Sequence, residues 1–284
     1  MRWQDGDGSN IEDRRGGGGM RTAVPLSLGG VVIVLLLSWA TGTDFTSLLD
    51  TGGGAPASAP GPAAPGTSSP QEDRQVSMVD AVMTDAQDTW HQLLGNRFEP
   101  TRVVLFRDVI DSACGTAQSA TGPFYCPADH KIYLDLGFFE ELAKRFGAPG
   151  EFAEAYVVTH ELGHHVQNLL GLDKRVERDR RPGPQSASVA LELQADCFAG
   201  VWGHAASQAG RFRAGHVELD PGDAEQALKA AASIGDDRLQ RMETGRVAPE
   251  SFTHGTSAQR VEWFRRGMET GDPDRCDTFA RTTH

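Results

Sequence analysis

The chain has 284 residues and a formal net charge of −12, from 27 basic and 39 acidic residues. This acidic balance argues against a general nucleic-acid-binding protein, because such proteins depend on neutralising phosphates. The four cysteines are too few for a small disulfide-dense domain, and the composition excludes collagen, coiled-coil and wholly disordered chains.

The first segments of the chain differ sharply in composition. Residues 1–22 are polar and rich in glycine and arginine, and they are not expected to fold alone. Residues 23–40 are all apolar or small, which is the short limit for a membrane-spanning helix. Arginines precede this segment and aspartates follow it, so the positive-inside rule predicts a single-pass anchor in the cell membrane with a cytoplasmic N-terminus. A signal peptide with a cleavage site at Ala40-Thr41-Gly42 is the alternative, and both interpretations export the rest of the chain.

Residues 41–75 predict a flexible linker rich in Gly, Pro and Ala, and residues 76–284 predict one folded domain. Apolar residues at helical spacing predict helices over 76–94, 137–146, 152–170, 186–207, 223–234 and 257–270. Short β-branched and aromatic runs predict strands over 101–106 and 131–136. Because helices dominate and a small sheet precedes them, the expected fold class is α+β.

The most informative segment is the HExxH motif formed by His160, Glu161 and His164. The two histidines are four residues apart, so a helix places them on one face, where both imidazoles can bind a tetrahedral Zn²⁺. Glu161 lies beside the metal but off the line of the ligands, where it can deprotonate a water molecule. His165 is rotated by about 100° from His164, which favours a packing or polar role over metal binding.

A catalytic zinc site needs a third protein ligand and an open position. The metzincin pattern fails, because Gln167 and Leu170 occupy the positions where that pattern has glycine and histidine. A later predicted helix offers Glu192 as the third ligand instead. Asp196, one turn further on, can accept the free N–H of a ligand histidine and so fix the ring orientation.

Three segments together resemble the bacterial Putative neutral zinc metallopeptidase family. They are THELGHHVQ (159–167), LELQADCFAG (191–200) and FYCPADHKIYLDL (124–136), and the arginine-rich N-terminus before one apolar segment adds to the likeness. The resemblance implies a membrane-anchored, gluzincin-like zinc peptidase that acts on a protein or peptide. It also implies that His160, His164 and Glu192 bind the zinc and that Glu161 is the catalytic base.

The resemblance suggests roles for two further parts of the chain. Residues 124–136 precede the HExxH helix, where zinc peptidases have an edge strand that an extended peptide can join. His254 could donate a proton or a hydrogen bond to the oxyanion of the reaction, or it could simply be the residue that leads into helix 257–270. Arg260, on that helix, is a further candidate for the same role.

The cysteines fit an exported domain and predict two disulfide bonds. Cys114 and Cys126 enclose a short loop that contains glycine, and their pairing is expected. A bond between Cys197 and Cys276 would fix the C-terminal tail against the helix that carries Glu192. No CxxC spacing occurs, so zinc binding by cysteine is not expected.

Two other functions use the same residues. In a non-catalytic surface protein the zinc would be structural, and a fourth protein ligand would close the site. A hydrolase of non-peptide amides, such as cell-wall cross-links, would share the site and differ in its substrate.

Overall fold

The computed structural model describes residues 1–16, 68–178 and 181–281. The predicted membrane segment 23–40 and residues 41–67 of the predicted linker lie outside the described residues. Within the described ranges, no helix combines the length and the apolar character needed to cross a bilayer. Residues 1–15 and the residues from Ser68 onward form one compact unit, which contains the predicted site.

Helices and a small sheet make up this unit, so the predicted α+β class is confirmed. Its described helices are α1 (Pro70–Leu94), α2 (Gly137–Lys144), α3 (Glu151–Leu169), α4 (Lys174–Arg178), α5 (Ala187–Ala206), α6 (Asp223–Ser233), α7 (Asp236–Thr244) and α8 (Ser257–Thr270). Its described strands are β1 (Ile11–Asp13), β2 (Arg102–Phe106), β3 (Val109–Ser112), β4 (Gly115–Gln118), β5 (Phe124–Cys126) and β6 (Lys131–Asp135).

The main sheet has the strand order β1-β2-β6-β5, and its central strands β2 and β6 are largely buried. Strands β1, β2 and β6 are parallel, whereas β5 is an edge strand that runs antiparallel to β6. Successive side chains of β2 point to opposite faces, so Val103 packs in the helical core and Val104 in a second apolar cluster. Ile110 of the β3–β4 hairpin covers that second cluster. The sequence analysis missed this hairpin, because its strands are short and mostly polar.

Helix α3 carries the HExxH motif through the core, and 14 of its 19 residues are buried. It ends before Gly171, which has a φ of +68° that favours glycine over other residues. The predicted helix 152–170 therefore agrees with the observed one to within one residue at each end.

Close packing fixes α3 against α5. A Cβ atom added to Gly163 of α3 would lie 3.1 Å from the Cα atom of Ala195 on α5, so the two backbones approach closely. Because the motif residues lie on α3 and Glu192 lies on α5, this contact determines how near the two helices bring their polar side chains.

Both predicted disulfide bonds are present, and no described cysteine is free. The Cys114–Cys126 bond joins the turn of the β3–β4 hairpin to edge strand β5, with a Cα–Cα distance of 5.8 Å. The Cys197–Cys276 bond spans 79 residues and ties the C-terminal segment to α5. The two bonds therefore brace elements on either side of the predicted site.

The folded unit begins earlier than the predicted boundary at residue 76. Helix α1 starts at Pro70, where Ser69 and Glu72 form a capping box in which each side chain accepts a hydrogen bond from the other residue's backbone. The apolar periodicity begins only at Val76, so the sequence analysis assigned this first polar turn to the linker.

Residues 1–15 are also part of the unit, although the sequence analysis separated them from the domain. Strand β1 pairs with β2 in parallel register, from Ile11 opposite Val103 to Asp13 opposite Leu105. In the structure, residues 1–15 therefore pack as part of the sheet of the domain. The predicted anchor over 23–40, with a cytoplasmic N-terminus and an exported domain, stays a prediction, because this segment lies outside the described residues.

Candidate metal centre

Helices α3 and α5 bring His160, His164 and Glu192 together. The Nε2 atom of His160 lies 3.3 Å from Glu192 Oε2, and Nε2 of His164 lies 3.5 Å from Glu192 Oε1. A tetrahedral ion with bonds of about 2.0–2.2 Å holds its ligands about 3.3–3.6 Å apart. Two imidazoles and one carboxylate match the donor set of a zinc site, and one ligand atom from each lies within 4.8 Å of the others. Within the described ranges, this is the one cluster of three or more such side chains that could hold a metal ion.

Each candidate histidine ligand has a hydrogen-bond partner that fixes its ring. Nδ1 of His160 lies 2.9 Å from Asp196 Oδ1, and Nδ1 of His164 lies 2.9 Å from Gln167 Oε1. Both partners accept hydrogen bonds through these oxygens, so each Nδ1 carries the proton and each Nε2 is left to bind a metal. Asp196 occupies the position that the sequence analysis expected, whereas the contribution of Gln167 was missed.

Gln167 is held rigidly. Its amide nitrogen donates to the carbonyl oxygen of Leu191 at 2.7 Å and to Gln194 Oε1 at 3.1 Å. These two bonds fix which way the amide faces, so Oε1 points at His164. The sequence signal was the spacing of three residues from His164, which places both side chains on one face of α3.

The surroundings of the cluster keep the carboxylate of Glu192 ionised, as metal binding requires, and make the carboxylate of Glu161 a stronger base. Burial opposes ionisation of Glu192, but the neighbouring His164 and His160 outweigh burial and keep its pKa well below the ordinary value. Burial raises the pKa of Glu161, and the two histidines only partly offset this effect. A carboxylate with a raised pKa suits a general base that must accept a proton.

His254 reaches the same cavity as the cluster and is oriented by Asp236, a residue that the sequence analysis missed. The Oδ2 atom of Asp236 accepts the backbone N–H groups of residues 253–255 at 2.7–3.0 Å. Its Oδ1 atom lies 3.1 Å from His254 Nδ1. The His254 side chain is about half exposed, and its hydrogen bond with Asp236 raises its pKa, an effect to which the charge of Glu192 adds.

A cavity of about 610 Å³ surrounds these groups. Residues 119–125, which include part of edge strand β5, form one wall, and helix α3 contributes His160, Glu161 and His164. The apolar side chains in the lining include Phe138, Phe146, Val157, Ile234 and Leu239. The cavity therefore combines a polar centre with room for apolar groups beside edge strand β5 of the described sheet.

His165 lies apart from the cluster, as its rotation on the helix predicts. It is fully buried, with Nε2 2.6 Å from the carbonyl oxygen of Glu99 and Nδ1 3.0 Å from the Tyr125 hydroxyl. Burial lowers its pKa, and the neutral ring links α3 to edge strand β5.

An α+β domain with a histidine pair on one helix and a glutamate on a second defines a metallopeptidase-like protein. The Putative neutral zinc metallopeptidase family matches residues 1–279, and the chain belongs to that family. It is 42% identical over 300 residues to uncharacterized protein YpfJ of Escherichia coli K12, covering 99% of this chain and 100% of that protein. It is 47% identical over 206 residues to uncharacterized protein Rv2575 of Mycobacterium tuberculosis H37Rv, covering 71% of this chain and 67% of that protein. No solved structure gives a significant match.

Proposed function

We propose that this protein is a zinc-dependent peptidase. The observation that carries the proposal is the clustering of His160, His164 and Glu192, whose ligand atoms all lie within 4.8 Å of one another and so could share one zinc ion. Among the described residues no fourth ligand joins the cluster, and all four cysteines of the chain are in disulfide bonds. An open fourth position supports catalysis over the alternative of a purely structural zinc.

The chain's own residues would divide the chemistry between them. Zn²⁺ held by His160, His164 and Glu192 would lower the pKa of a water molecule to about 7 and polarise the scissile carbonyl. Glu161 accepts the proton of the attacking water and transfers it to the leaving amine. His254, held by Asp236, donates a hydrogen bond to the oxyanion that develops on the carbonyl oxygen.

The shape of the cavity supports a peptide as the substrate. Edge strand β5 has one side without a partner strand in the described sheet, so an extended peptide can add to it through backbone hydrogen bonds. Peptides with Phe or Leu beside the scissile bond are the first substrates to test, because apolar side chains line the cavity.

The zinc content of the intact, oxidised protein tests the metal centre. We expect about one zinc per chain in the wild type. We expect this zinc to be lost in His164→Ala, because the two ligands that remain in the variant bind the ion too weakly. His204→Ala is the matched control, because the His204 Nδ1 atom faces the carbonyl oxygen of Met268 at 2.9 Å and lies outside the cluster. A folded wild-type protein without zinc would refute the proposal.

The pair His254–Asp236 gives the proposal a pH dependence. The carboxylate of Asp236 raises the pKa of His254, so the protonated ring persists to higher pH than a free histidine would. If this form donates to the oxyanion, activity falls as the pH rises through the pKa of His254. We therefore expect Asp236→Asn to move the alkaline limb of the kcat profile to lower pH, as measured with one peptide substrate. An unshifted alkaline limb in a folded variant would assign His254 no part in proton donation.

A further inference from the structure

Arg260 connects to the metal centre through Asp196. Its Nε and Nη2 atoms donate to the two carboxylate oxygens of Asp196, each at 2.8 Å. Arg260 is only 3% exposed and Asp196 is fully buried, so water does not compete for this contact. We propose that Arg260 is a positioning residue, which orients Asp196 so that His160 presents Nε2 to the metal. This inference rests on the zinc centre proposed above.

The orientation of the Asp196 carboxylate depends on more than a positive charge beside it. Asp196 Oδ1 accepts from Tyr156 at 2.5 Å and faces His160 Nδ1 at 2.9 Å, while Oδ2 contacts Arg260 Nε. A carboxylate that can rotate would offer either oxygen to His160. The planar guanidinium of Arg260 donates a hydrogen bond to each carboxylate oxygen and so fixes the plane of the carboxylate. A single ammonium group cannot do this.

Close packing of two helices fixes the position of Arg260, on α8, relative to Asp196, on α5. Helices α5 and α8 touch backbone to backbone, because a Cβ atom on Gly200 would lie 2.1 Å from the carbonyl oxygen of Phe264. A Cβ atom on Gly267 would likewise lie 2.0 Å from the carbonyl oxygen of Cys197. The Cys197–Cys276 disulfide ties the segment after α8 to α5 as well. The distance between Arg260 and Asp196 is therefore set by rigid helices.

Zinc affinity, measured by competition with a chelator, tests this role in the full chain. We expect Arg260→Lys, which keeps the charge but loses the two-pronged contact, to bind zinc about 10- to 100-fold more weakly. We expect the absorption spectrum of the Co²⁺-substituted variant to differ from that of the wild type. Arg265→Lys is the matched control, because Arg265 lies exposed on the same helix.

Chemical rescue separates positioning from a general effect on the fold. We expect Arg260→Ala to regain zinc affinity when guanidinium is added, and Asp196→Ala to regain none. Wild-type affinity and an unchanged Co²⁺ spectrum in folded Arg260→Lys would overturn the proposal. An Arg260→Ala variant that stays unfolded, or fails to recover zinc with guanidinium, would also overturn it, because Arg260 would then act on the fold alone. If the wild type itself binds no zinc, the result refutes the proposed zinc centre, and with it the role of Arg260 that rests on it.

Discussion

Replacing Glu161 with glutamine is expected to reduce peptide cleavage about 10²- to 10⁴-fold, the range typical of a lost general base. Glutamine has nearly the same shape but cannot accept a proton from water. Glu161 is not one of the three clustered ligands, so the zinc content should remain that of the wild type. Steady-state kinetics should show the loss in kcat, while zinc analysis shows one ion per chain.

The matched control for this experiment is Glu154→Gln on the same helix. Glu154 lies near Gln75 and outside the cavity lining, and burial raises its pKa to about 7. A neutral amide is therefore well tolerated there, and cleavage should stay close to the wild-type rate. Undiminished cleavage by Glu161→Gln would refute the assignment of the base. An equal loss in both variants would indicate damage to α3 in place of a chemical effect.

The ligand histidines were predictable because their relation is local. On a helix, the four-residue spacing of His160 and His164 fixes their geometry before any tertiary contact forms. Glu192 needed a second inference, since its approach depends on close contact between α3 and α5 at Gly163. The pairing of Glu192 with Asp196 at helical spacing was the signal that made this inference possible.

The residues that were missed or left as minor candidates act through contacts distant in the chain. Asp236 meets His254 across 18 positions, and Arg260 meets Asp196 across 64. Neither belongs to a spacing pattern, because a fixed spacing has meaning only within one element. Strand β1 was missed for the same reason, since three residues with two acidic side chains carry no strand signal of their own.

The packing of residues 1–15 leads to a prediction about topology. Asp80 of α1 is only 2% exposed, and its carboxylate accepts the backbone N–H groups of Gly8 at 2.8 Å and Asn10 at 3.1 Å. Gln87 donates to Asn10 Oδ1 at 2.7 Å and accepts the N–H of Thr101, which directly precedes β2.

The N-terminal segment also packs closely against α1, because a Cβ atom on Gly6 would lie 1.8 Å from Asp80 Oδ2. Hydrogen bonds and packing this specific indicate that residues 1–15 are an integral part of the folded domain.

We therefore expect residues 1–15 to share the compartment of the domain. The four cysteines are paired, so one cysteine introduced at an exposed position supplies a single thiol. Ser9→Cys reports on the N-terminal segment and Ala209→Cys on the domain, and both positions are exposed. A membrane-impermeant maleimide applied to intact cells should label both variants or neither.

Each competing arrangement predicts a different result. If segment 23–40 crosses the membrane once, the reagent labels Ala209→Cys and leaves Ser9→Cys unlabelled until the cells are opened. If the chain is cleaved at Ala40-Thr41-Gly42, the mature protein lacks position 9, and mass spectrometry of the purified chain detects its loss. Either result would mean that β2 has no β1 beside it in the cell, and that Asp80 must satisfy its buried carboxylate in another way. Equal labelling would instead show that residues 1–15 and the domain share one compartment, as the parallel pairing from Ile11 to Asp13 requires.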